Sequence, residues 1–198
     1  MNSASILSIL TLITIISMAA AFTFGVAAHV MRRELDPIAT PFSAYLSGTS
    51  RRIGLACYSC LALGIAAFAM ISVLRFGPDN GTGIAFALFF ASIVLVAIAA
   101  ATARADAPLA IDDPKLRLLH RWSAFFAFLS VIAAIAVDTY VWRAEPVLHA
   151  LMAGVAGALV VLFVVLSIVP LGFKGVAQKV LMLGIVVWFV TAAAMMRY

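Results

Sequence analysis

Six long apolar runs dominate this 198-residue sequence and leave few folds open to it. They lie at about 6–31, 53–74, 84–103, 122–142, 147–169 and 176–196. A helix needs about 20 apolar residues to cross the hydrocarbon core of a bilayer, and each run approaches or exceeds that length. A water-soluble fold would have to hide all six, yet only 11% of the residues are charged, against about 25% in ordinary soluble domains. Lipid as the outer solvent removes the difficulty. Strands are a poor alternative, because membrane barrels need short segments of alternating polarity and these runs are apolar on every face. The expected fold is therefore all-α: one polytopic domain, residues 1–198, built as a bundle of six transmembrane helices.

The breaks between runs are chemically sensible. Asp36-Pro37 and Pro41 interrupt helix before the second run. Gly77-Pro78-Asp79-Asn80-Gly81 reads as a turn cluster between the second and third. Pro108, Asp112, Asp113 and Pro114 mark the third connection, and Glu145-Pro146 the fourth, with Pro146 placed to start a helix. Pro170-Leu171-Gly172 closes the fifth run. No basic residue precedes the first run and Arg32-Arg33 follow it, so it reads as a retained helix, not a cleaved signal.

Lysine and arginine set the expected orientation. Arg32, Arg33, Arg51, Arg52, Arg104, Lys115, Arg117, Arg121, Lys174 and Lys179 fall at one end of the bundle; only Arg75, Arg143 and Arg197 fall at the other. Basic residues concentrate on the cytoplasmic side, which puts both termini outside the cytoplasm and makes this a multi-pass protein of the plasma (inner) membrane. Trp122 at one end of the fourth span, with Tyr140 and Trp142 at the other, fits interfacial aromatic belts. The net charge of +5 is thus an orientation signal, and no basic, aromatic-interleaved patch suggests nucleic acid.

Candidate chemistry gathers at the cytoplasmic margin. Arg51, Arg52, Arg121 and Lys179 are candidates for binding an anionic lipid head group. The plainer reading is that loops at a membrane surface are charged and arginines anchor helix ends. Asp138 is the one acidic residue inside an expected span, and an intramembrane carboxylate is by default a functional candidate. It lies roughly 25 Å along the helix from Arg121, near the outer surface, where Arg75, Arg143 and His149 make an ion pair the expected arrangement. His29 and His120 lie near the same end of their spans and are the only pair that could hold a haem; His149 has no histidine partner. Cys57 and Cys60 share a helix face, but no second ligand pair follows, so helix packing is expected of them and no metal site. The run Ala153-Gly154-Val155-Ala156-Gly157-Ala158 is expected to admit a neighbouring helix closely, as are Gly25, Gly64 and Gly184. No hydrolase elbow, phosphate loop, zinc-protease motif or dinucleotide fingerprint occurs.

Asp36-Pro37 and Pro41-Phe42-Ser43-Ala44-Tyr45-Leu46-Ser47-Gly48 between the first two spans, Asp106, Pro108 and His120 at the third connection, and Gly172, Gly175, Gln178, Lys179 and Trp188 near the end form an ordered pattern. From about Val26 to Met196 it resembles the DUF998 family of small polytopic membrane proteins. The resemblance implies the same six-helix architecture and singles out Asp36, Ser43, Tyr45, Gly48, Asp106, His120 and Gln178. Lys179 stands where the family often has arginine, so the planar fork of a guanidinium is absent there.

These features lead to one expected function and two rivals. The first is a non-enzymatic membrane protein that binds lipid or a partner subunit, or forms a homo-oligomer, through its cytoplasmic margin, with no cofactor. The second is a small transporter or lipid-modifying enzyme whose polar site is Asp36, Asp106 and His120, with Ser43, Tyr45 and Gln178 nearby. The third is a haem-binding electron carrier using His29 and His120.

Overall fold

In the computed structural model the described residues are 2–45, 48–104, 114–141, 146–168 and 173–196. Helix α1 spans Ser3–Met31, a short α2 spans Phe42–Tyr45, and a 3₁₀ turn at Gly48–Ser50 leads into α3, Arg51–Arg104. Helices α4, α5 and α6 span Pro114–Val141, Pro146–Ile168 and Lys174–Met195. Among the described residues there is no strand, and six segments are long and apolar enough to cross a membrane. The chain is a multi-pass helical membrane protein. Helix is the expected spanning element, since hydrocarbon leaves a backbone N–H or C=O no partner outside its own segment.

The connection between the second and third spans is tighter than its turn residues suggest. Only Gly77 leaves helical geometry, at φ 74° and ψ 176°, and the helix resumes at once. Proline tolerates the first helical position because its missing N–H would be unpaired there anyway, so Pro78 restarts the helix at no hydrogen-bond cost. The two limbs of α3, residues 51–76 and 78–104, fold back closely: a Cβ on Gly81 would lie 2.7 Å from Val73 Cα. Helix α4 also begins earlier than its apolar run, at Pro114, so the third connection is partly helical. Nothing in Lys115-Leu116-Arg117-Leu118-Leu119 breaks a helix.

Helix α1 packs chiefly on α3, α6 closes against α1 and α5, and α4 lies against α3 and α5. Lipid provides no hydrophobic drive between helices, so close approach and local hydrogen bonds hold them together. Gly64 admits Met18 of α1, whose Cε would be 3.0 Å from a Cβ there. The Cys57 thiol reaches Ala21 O at 3.2 Å, so it joins α3 to α1, and both cysteines are free. Phe68, Trp188 and Phe189 pack edge to face at centroid distances of 5.0–5.5 Å and knit α3 to α6. The small-residue run of α5 does not serve as expected. Gly154 and Gly157 meet nothing within 4 Å, and Ala156 alone of 153–158 is buried. The close approach on α5 is instead Leu159 over Gly184 of α6.

Candidate functional site

The described residues between α1 and α3, 32–45 and 48–50, fold over one end of the bundle and dock on α1 and α6. Asp36 starts the docked stretch by accepting the Ile38 N–H on its carboxylate and the Thr40 N–H on its carbonyl. This is a local turn in which an Asp side chain replaces a backbone partner. Ile38 O then accepts from Val176 N at 3.1 Å. Lys179 Nζ donates to Pro37 O and Thr40 O and lies 4.7 Å from the Tyr45 ring centroid. Gln178 Oε1 accepts the Phe42 N–H at 3.0 Å, supplying the partner that the first N–H of α2 lacks. Gly175 makes this seat possible, because any Cβ there would collide with the carbonyls of Ile38 and Thr40.

The other side of the loop rests on α1. His29 stacks on Tyr45 and lies 5.8 Å from Phe42, which in turn covers Gly25. Tyr45 is 1% exposed and its hydroxyl donates to Leu35 O at 3.0 Å. Burial raises the Tyr45 phenol pKa, and the carboxylates of Asp36 and Glu34 add to the effect. Ser50 Oγ donates to Tyr45 O. Arg32, buried beside Gly48, pairs with Glu34, and that hydrogen bond holds the Glu34 carboxyl below its usual range. Gly48 has φ 63°, which suits glycine.

A groove of about 460 Å³ runs down from this docked loop between α1 and α6. That volume is within the roughly 300–1,000 Å³ typical of small-molecule sites. Phe22, Val26, Val180 and Leu183 line it and are exposed on the bundle's outer surface, while His29 and Lys179 line it beneath the docked loop. His29 Nδ1 donates to Gly25 O at 2.8 Å. In the neutral ring this leaves Nε2 as a bare acceptor, and it is buried with no partner among the described residues. Lys179 has no carboxylate within ion-pair distance among the described residues.

Thus Asp36, Tyr45, Gln178 and Lys179 come together with His29, chiefly to hold the loop. Ser43 is buried beside a second cavity of about 40 Å³ between α2, α3, α4 and α6. Arg51, Arg52 and Arg121 are exposed and line neither cavity. Asp106 and the side chain of His120 lie outside the described residues, so the Asp36–Asp106–His120 set and the His29–His120 haem pair are both represented by one member. Asp36 is exposed and occupied by its own turn.

Asp138 is the intramembrane carboxylate singled out in the sequence. It is wholly buried, 3.5 Å from Ser72 Oγ, and has no ion-pair partner among the described residues, with Arg143 outside them. Arg75 is exposed, whereas Asp138 faces Ser72 on the inner side of α3. Gly175, His29 and the accepting carbonyls of Pro37 and Thr40 were not among the expected loop contacts. A lone glycine immediately before Val-Ala-Gln-Lys was the only trace of that seat in the sequence.

No protein-family model matches the chain, and comparison with curated proteins and with solved structures returned no significant match.

Proposed function

We propose that this protein binds a membrane phospholipid, with one acyl chain in the α1–α6 groove and the head group against the docked loop. The observation that carries the reading is the groove itself: an apolar trough open on the outer face of the bundle, ending at the side chains of Lys179 and His29 beneath the docked loop. Its walls are aliphatic and aromatic, which suits a hydrocarbon chain. A lysine at this end suits a phosphate. The charge bias supports a cytoplasmic position for this end in a plasma membrane, with both termini outside. The resemblance to the DUF998 family belongs to the same proposal and adds architecture without an activity.

A phospholipid with a photoactivatable group in its acyl chain tests the reading. In reconstituted protein, adducts are expected on α1 and α6 around Val26, Val180 and Leu183. Adducts spread evenly over every lipid-facing helix, α5 included, would overturn it.

A further inference from the structure

We propose that Asp138 is a proton-binding site, its carboxyl neutral at rest and able to ionise reversibly beside the bend in α3. Asp138 lies in the span Arg121–Tyr140, at the end of the bundle opposite the docked loop, and none of its surface is exposed. Its Oδ1 is 3.5 Å from Ser72 Oγ; its Oδ2 has no partner among the described residues. An isolated carboxylate in such surroundings loses its hydration and gains no counter-ion, and it escapes that cost by taking up a proton.

The hydrogen-bond inventory supports the same state. Ser72 Oγ is also 3.2 Å from Phe68 O, and a serine has one proton to donate. If Asp138 were ionised, Ser72 would have to abandon Phe68 O to serve it. If Asp138 is neutral, its Oδ1 proton is donated to Ser72 Oγ and the serine proton to Phe68 O, so both hydroxyls have an acceptor. Thr139 offers no help, since its hydroxyl donates to Ile135 O at 2.7 Å.

Among the described residues, the surrounding helices bring no charged side chain against Asp138. On α3, Arg75 and Asp79 are both exposed; on α4, Tyr140 is exposed; on α5, His149 is half-buried and makes no bond to Asp138. Ser72 lies five residues before Gly77, where α3 bends, and Gly81 of the second limb packs on the Ser72 backbone. A charge appearing on Asp138 therefore falls on the contact between the two limbs. The ligand of this site is a proton, and the adjoining bend is the element that its loss would disturb.

Infrared spectroscopy of the intact protein in lipid tests this directly. The C=O stretch of a protonated carboxylic acid is separable from the carboxylate bands of the exposed acidic residues. At neutral pH the wild type is expected to show this band, and Asp138→Asn, which keeps the shape of the side chain, is expected to lose it. The band should fade reversibly as pH rises, and Ser72→Ala, which removes the hydroxyl acceptor, should shift its frequency and its midpoint. Absence of the band at neutral pH, its persistence in Asp138→Asn, or a band that never fades while the protein stays folded would each overturn the proposal.

Discussion

The imidazole of His29 lies flat on the phenol of Tyr45, with ring centroids 3.9 Å apart and planes 14° from parallel. This contact fastens the docked loop to α1, and Tyr45 adds a hydrogen bond to Leu35 O. Replacing Tyr45 with Phe keeps the stack and loses that bond, at a cost of about 0.5–1.5 kcal/mol. Replacing it with Ala removes the ring from a buried site and costs about 3–5 kcal/mol by analogy with buried aromatic truncations. Thermal unfolding in detergent should separate the two variants clearly. Equal midpoints would mean that the stack does not hold the loop.

Gly175 and Gly25 both lie under the loop and should respond differently to alanine. At Gly175 the added methyl meets the carbonyls of Ile38 and Thr40, which are backbone and cannot turn aside. At Gly25 it meets the Phe42 ring at 3.1 Å, a side chain with room to adjust. Gly175→Ala should release residues 36–41 to limited proteolysis, and Gly25→Ala should leave them protected. Protection in both variants would contradict the docking geometry.

The bend in α3 makes a graded prediction. Gly81→Ala sets a methyl 2.7 Å from Val73 Cα and should be the most damaging of three substitutions. Gly77→Ala forces a side chain into a backbone region almost exclusive to glycine, at about 1–3 kcal/mol. Gly83 meets nothing within 4 Å, and alanine there should stabilise the helix by about 0.5–1 kcal/mol. Melting temperatures in any other order would contradict the fold-back of the two limbs.

Sidedness is open to a direct test. A reporter active only outside the cytoplasm should be active on either terminus, and one placed near Arg104 should be silent. The reverse pattern would invert the proposed orientation and move the docked loop outside the cell.

The spans were legible in the sequence because lipid demands long apolar runs, and nothing else tolerates them at this length. The connections were less so. Gly77-Pro78-Asp79-Asn80-Gly81 has the residues of an open turn, yet one glycine suffices when proline can open the next helix. Asp36, Tyr45, Gln178 and Lys179 stood out as polar residues near one end, but what they do depends on partners far away in the chain. Phe42 is 136 residues from Gln178, and no local pattern encodes that pairing. Asp138 stood out as an oddity; that it faces Ser72 is a matter of helix rotation, which periodicity cannot fix when every face is apolar.

Mass spectrometry of the protein released directly from its native membrane tests the lipid-binding claim most closely. The wild type should retain one phospholipid per chain, and Leu183→Trp, which fills the groove from its exposed wall, should lose it while remaining folded. A wild type that emerges free of lipid, or a Leu183→Trp variant that keeps it, would contradict the account.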